Sequence, residues 1–323
     1  MGHFIGLDLG GTNVKAGLVD DEANVMANLS VPTEGEGGAD RVIEVMASAA
    51  KEVAAKAGVK MDRVAGIGIG APGPLDFEAG VVKAAPNLPG WIDVRLRDRI
   101  AEATGCPAVL ENDANAAAFG EFWAGAGRDP DIRHLVMLTL GTGIGSGLIV
   151  DGRVIHGGYG LGGEGGHIIV QPDGRLCGCG QRGCLEAYTS AAQAARRAQE
   201  ALDAGEDSVL GRISAGQQGE ITAEDVFDAA AGGDALALRI VDETAQYLGI
   251  AAVTFCRLLD PQMIVFAGGM IAAGDFLFDR IRRSFSDHDW DLVAPQVRIV
   301  PATLGNDAGF IGAAAVAWDH DRR

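Results

Sequence analysis

Two stretches 131 residues apart carry one pattern. Leu7-Asp-Leu-Gly10-Gly11-Thr12 leads into an apolar run that ends at Asp20, and Leu138-Thr-Leu-Gly141-Thr142-Gly143 leads into one that ends at Asp151. The first copy joins the β-rich runs Phe4–Leu9 and Val14–Val19, so each copy reads as strand, tight turn, strand. A repeat so widely spaced is no short-period solenoid and predicts two similar halves. Halves that face each other make a natural cleft.

With 323 residues there is ample chain for two domains. The rest alternates helices and strands. A helix is expected over 40–57, with Val42, Ile43, Val45, Met46, Ala49, Ala50, Val53 and Ala54 on one face and Gly58 after its end. A buried strand follows at 64–70 and is broken by Ala71-Pro-Gly-Pro74. Further helices are expected at 93–104, 185–204, 235–259, 271–285 and 307–318, the last apolar enough to dock on the first half. Further strands are expected at 108–111 and 263–267. The stretch 211–219 reads as a mobile connection.

The longest apolar stretch, around 245–269, is interrupted by Arg257 and Asp260, so no membrane span is expected. The N-terminus lacks the basic region of a signal peptide and enters a strand at once. Together with cysteines clustered at metal-ligand spacing, this predicts a reducing cytoplasm rather than disulfides. Cys106 and Cys256 stand outside the cluster and read as buried thiols.

Basic residues number 26 against 44 acidic, a net charge of −18. Such a chain makes a poor partner for nucleic acid. An anionic substrate would have to be held by backbone amides in glycine-rich loops. Asp8-Leu-Gly10-Gly11-Thr12-Asn-Val-Lys15 has that form: the glycines admit a phosphate, Thr12 adds a hydroxyl, and Asp8 can hold a hydrated Mg²⁺. One such turn alone would read as a plain hairpin. The second, Gly141-Thr142-Gly143, lets two turns grip one polyphosphate. Gly268-Gly269, opening a helix, suits the sugar or base edge of a nucleotide. No P-loop and no Rossmann fingerprint is present.

Cys177-Gly-Cys179-Gly-Gln-Arg-Gly-Cys184 gathers three of the five cysteines, with His167 ten residues ahead. Three thiolates and an imidazole at this spacing suit one tetrahedral zinc. Glu164 and Glu186 bracket the cluster, which would bring two carboxylates to the metal-held imidazole. Glu111-Asn112-Asp113 ends a strand before a helix. Asp113 there is either an N-cap or, beside two phosphate turns, a base for an alcohol that attacks a phosphoryl group.

These motifs, in this order and spanning residues 5 to about 310, resemble the ROK family of repressors, open reading frames and sugar kinases. The likeness is strongest to its bacterial ATP-dependent glucokinases. The resemblance implies an α/β, actin/hexokinase-like (ribonuclease H-like) fold of two domains with the sugar in the cleft, divided as 1–112 plus 306–323 and 113–305. It implies Asp113 as the base for the 6-hydroxyl of glucose. Sugar contacts would come from Asn112, Asp113, Glu164, His167 and Glu186, with Gly73 and Asn87. ATP with Mg²⁺ would lie on Asp8, Gly10, Gly11, Thr12, Lys15, Gly141, Thr142, Gly143, Gly268 and Gly269. A structural zinc would sit on His167, Cys177, Cys179 and Cys184, and the protein would be a homodimer.

Alternatives within the family are kinases of N-acetylglucosamine, N-acetylmannosamine or fructose. A sugar-responsive repressor is disfavoured, because the first strand begins by residue 3 with no helix-turn-helix ahead of it and the charge opposes DNA. A polyphosphate donor is disfavoured because no basic track would hold a long polyanion.

Overall fold

The computed structural model describes residues 2–85, 87–212, 220–290 and 296–322. The connection expected over 211–219 lies outside the described residues from 213 onward. The chain divides into two compact units, residues 1–132, 147–163 and 303–323 in the first and 133–146 and 164–302 in the second.

In the first unit β1 (His3–Leu9), β2 (Asn13–Asp20) and β3 (Val25–Pro32) run antiparallel. Helix α1 (Gly38–Lys56) buries the expected apolar face, and Gly58 follows in the left-handed region at φ 72°. The fully buried β4 (Gly66–Ala71) then pairs parallel with β1. A small antiparallel sheet of β5 (Leu75–Asp76), β6 (Val81–Ala84) and β7 (Ile92–Val94) precedes α2 (Leu96–Thr104). The helix expected from residue 93 starts late because Ile92–Val94 is drawn into pairing with β6. β8 (Ala108–Asn112) completes the sheet parallel to β4 and runs directly into α3 (Asp113–Ala124).

β9 (Leu135–Leu140) and β10 (Ile144–Val150) flank the second glycine turn, followed by β11 (Arg153–Val154). The helix expected over 185–204 is two, α4 (Glu186–Thr189) and α5 (Ala191–Asp203). Ser190 between them is extended and caps α5 by accepting the Gln193 N–H. Helix α6 (Ala223–Ala231) was not foreseen, although Thr222 and Asp225 form a capping box at its start. α7 (Ala235–Leu259) and β12 (Met263–Ala267) match expectation. The next helix, α8 (Asp275–His288), starts after residue 271 because Gly274 turns the chain at φ 55°. β13 (Arg298–Pro301) and α9 (Ala308–Asp321) follow.

The two large sheets are ordered β3-β2-β1-β4-β8 and β11-β10-β9-β12-β13. Position for position these are the same arrangement, with β9 and β10 standing where β1 and β2 stand. The repeat in the sequence is therefore a repeat of whole sheets.

Helix α9 docks on the first sheet as expected. A methyl group on Gly6 or Gly68 would collide with the carbonyls of Phe310 and Ala313, so the helix lies directly on β1 and β4. Gly312 meets the Ala116 carbonyl just as closely, which locks α9 to α3. This packing keeps α3 with the first unit, where a cut after residue 112 would have separated it from β8. No helix among the described residues is long and apolar enough to cross a membrane.

Candidate active site

Parallel strands of the first unit deliver their acids to one edge of the sheet. Asp8 is in register with Gly70, and Gly70 with Glu111, so the ends of β1, β4 and β8 lie side by side. Beyond β1, the Gly10 N–H donates to the Asn13 carbonyl at 3.1 Å, and Thr33 Oγ1 donates to the Gly10 carbonyl at 2.7 Å. The turn is thus closed and tied to the end of β3. Lys15 stands opposite Asp8 on β2, and its Nζ donates to the Asn306 carbonyl at 2.8 Å. Asn87 packs over Gly11, which brings it to this turn, whereas Gly73 (φ 86°) abuts the Ala84 carbonyl.

Asn112 is the N-cap, its Oδ1 accepting the N–H groups of Ala114 and Asn115 at 3.0 and 3.1 Å. Asp113 is the first helical residue, and its Oδ1 takes the Ala114 N–H at 2.8 Å. A carboxylate there sits at the positive end of the helix. Burial, and next the charge of Asp113, push the Asp8 carboxyl up to about 6, while Lys15 pulls the other way. Asp8 and Asp113 therefore act on each other as neighbours.

In the second unit, the turn after β9 is as long as the first but closes one residue sooner, the Gly141 N–H donating to the Gly143 carbonyl at 3.1 Å where Gly10 donates to Asn13. Gly141 and Thr142 open on a cavity of about 570 Å³, shared with Thr222, Phe227, Asp228 and Gly269. Such a volume suits a nucleoside. Gly268, at φ 94°, lies against the backbone of Leu140, which brings the third glycine loop to the second. Phe227 and Asp228, the lining residues from α6, are not among those expected from the sequence. The Thr222-x-x-Asp225 spacing was the signal that could have found them.

His167, Cys177, Cys179 and Cys184 place one ligand atom each within 4.8 Å of all the others. Cys177 Sγ lies 3.7 Å from His167 Nδ1, and Cys179 Sγ lies 3.7 Å from Cys184 Sγ. Tetrahedral zinc requires edges of about 3.6–3.8 Å, from bonds of ~2.3 Å to sulfur and ~2.0–2.1 Å to nitrogen. The donors fit that ion. Burial pushes the Cys177 thiol up to about 12, and it raises Cys184 as well. Thiolates at such positions need a cation beside them. Glu164 is exposed one turn before His167, and Glu186 starts α4.

A pair not singled out in the sequence supports the base-bearing corner. The Glu111 carboxylate, 3% exposed, accepts the Asn112 N–H and Asn115 Nδ2, each at 3.0 Å. His156 Nε2 lies 2.8 Å from the same carboxylate. Glu111 thus fixes both residues that flank Asp113 and Ala114. Only its position at a strand end hinted at this, since the partner histidine is 45 residues away.

Matching five-stranded sheets, with glycine turns at equivalent strand junctions, define the actin/hexokinase-like α/β class. The chain belongs to the ROK family, whose profile matches residues 4–320. It is 39% identical over 311 residues to a glucokinase of Halalkalibacterium halodurans, covering 96% of this chain and 93% of that protein. Among solved structures it is similar to a ROK hexokinase from Thermus thermophilus, with TM-score 0.83 and 36% identity over 99% of each chain. It is also similar to a ROK family glucokinase from Streptomyces griseus in complex with glucose and AMPPNP. There the TM-score is 0.77 and the identity 33%, over 98% of this chain and 100% of the other.

Proposed function

We propose that this protein is a cytoplasmic ATP-dependent glucokinase that transfers the γ-phosphoryl group to the 6-hydroxyl of glucose and feeds glycolysis. The observation that carries the mechanism is the adjacency of the Asp113 corner to the glycine turn that follows Asp8. Phosphoryl transfer asks mainly for positioning and charge neutralisation. Asp113 takes the proton of the 6-hydroxyl as its oxygen bonds to the γ-phosphorus. The bond to the bridging oxygen breaks and leaves ADP, and the proton passes from Asp113 to solvent. Asn112, Glu164, His167 and Glu186, with Gly73 and Asn87, hold the remaining hydroxyls, because carboxylates and amides match a neutral polyol.

The nucleotide is held by Gly10, Gly11, Thr12, Lys15, Gly141, Thr142, Gly143, Gly268 and Gly269. Asp8 would hold a hydrated Mg²⁺, which when bound neutralises phosphate charge. A structural zinc on His167, Cys177, Cys179 and Cys184 would orient the imidazole, with Nδ1 toward the thiols and Nε2 left for a hydroxyl. The family likeness carries a homodimer with it.

The test is a coupled ATP assay over glucose, mannose, fructose, N-acetylglucosamine and N-acetylmannosamine, with wild type and Asp113→Ala. Glucose is expected to be the preferred substrate. The variant is expected to stay folded and lose about 10²–10⁴-fold in kcat. Near-normal kcat in the variant removes Asp113 from the chemistry, and preference for an N-acetylated sugar overturns the substrate.

A further inference from the structure

Glu186 does more in this fold than face a sugar. Its Oε2 accepts the Ile144 N–H at 2.8 Å, and a Cβ on Gly143 would lie 2.5 Å from that same oxygen. Its Oε1 lies 3.5 Å from Cys177 Sγ. One carboxylate therefore joins a ligand of the candidate metal centre to the end of the glycine turn. Neighbouring contacts fasten the same turn. The Ala191 N–H, just past α4, donates to the Gly141 carbonyl at 2.8 Å. The Gly165 N–H donates to Ser146 Oγ at 2.7 Å, and Gly166 lies so close to the Ile144 carbonyl that a side chain there would collide with it. Both ends of the segment 165–186 thus clasp residues 141–146.

We infer that Glu186 is a positioning residue for the nucleotide's phosphate turn, through which the Cys/His segment sets the geometry of Gly141–Gly143. The inference rests on the reading that this turn receives ATP phosphate. A carboxylate close to a phosphate site would repel its ligand if it faced it. Bonded to Ile144 and absent from the lining of the cavity at Gly141 and Thr142, it instead fixes the peptide that follows Gly143, so that the turn's amides need not be ordered when phosphate arrives. If a hexose hydroxyl also bonds Glu186, sugar and nucleotide share one carboxylate. Each then changes the other's affinity by the same factor.

The test is calorimetric titration of Mg²⁺·AMPPNP, without hexose, into wild type, Glu186→Ala and Glu186→Gln, with zinc content measured alongside. Glutamine keeps an oxygen for the Ile144 N–H, whereas alanine does not. Nucleotide affinity is expected to fall about tenfold in Glu186→Ala, the scale of one lost charge-assisted hydrogen bond, and to stay within about twofold of wild type in Glu186→Gln. Unchanged affinity in Glu186→Ala overturns the inference, because a residue serving only the sugar would give that result. Should Glu186→Ala lose its metal or fold, Gly143→Ala tests the same contact with every ligand intact. Its methyl displaces the carboxylate, and the expected result is weaker AMPPNP binding, equal affinity being the refutation. Wild type that binds no AMPPNP refutes the phosphate reading of the turn, and this inference falls with it.

Discussion

Asp8 carries its carboxyl where a charge is costly, under burial and beside the charge of Asp113. In the unfolded chain that carboxyl titrates near 3.8, in the folded protein at about 6. Between those values the folded state keeps a proton that the unfolded state has lost. Stability therefore falls as pH rises from about 4 to 6, and the penalty persists above that. Asp8→Asn removes the ionisation. In magnesium-free buffer the variant is expected to be more stable than wild type at pH 7.5, by on the order of 1–3 kcal/mol, with the gap closing toward pH 4. Urea midpoints at the two pH values measure it, and a gap that ignores pH refutes the burial argument. Such a penalty at a working site is the usual exchange of stability for function. Asp8, Asp113 and the glycines were legible as residues, because their chemistry is tied to short local spacing. The Glu111–His156 pair was not, because nothing local says which strand end will meet which loop.

At the scale of elements, the segment that carries the cysteines is held by very little secondary structure. Between His167 and Glu186 the described pairing consists of the isolated bridges Ile169–Cys184 and Leu176–Arg182. Ordering a loop of this kind costs chain entropy, and the His/Cys₃ donors supply a cross-link that offsets it when metal-bound. Wild type is expected to carry one zinc per chain by elemental analysis. Cys177→Ser is expected to lose it and to become more sensitive to trypsin at Arg175 and Arg182, both of which lie inside the loop. A variant that keeps its zinc and its resistance shows that the cluster needs no fourth donor from Cys177. Elsewhere, long elements with a clear apolar face, such as α1 and α7, were legible almost to the residue. Breaks inside apparent helices were not. Ser190 and Gly274 interrupt sequences of good helix formers, and each break is decided by one local backbone conformation. α6 was overlooked for the opposite reason, since its nine residues span barely two and a half turns of pattern.

For the molecule as a whole, the duplicated turns revealed two sheets of like order, though only β1–β2 and β9–β10 share visible sequence. The remaining equivalences, β4 with β12 and β8 with β13, rest on apolar runs that many sequences satisfy. Net charge acts at this same scale. A chain of charge −18 offered an anionic nucleotide must bind it against its own long-range field. The short-range tools for that are backbone amides, which carry no net charge for salt to screen. The field itself is screened, its reach shrinking from about 30 Å at 0.01 M salt to about 8 Å at 0.15 M. Raising salt over that range is therefore expected to lower KM for MgATP while leaving kcat unchanged, the reverse of an enzyme that steers ATP with a basic cleft. Long-chain polyphosphate, repelled along its whole length, is expected to serve poorly as a donor at either salt concentration. A KM that climbs with salt, or efficient use of polyphosphate, means that a local positive field around the turns outweighs the charge of the whole chain. Lys15 is the first side chain to replace in search of it, because it faces Asp8 across the hairpin that carries the first turn.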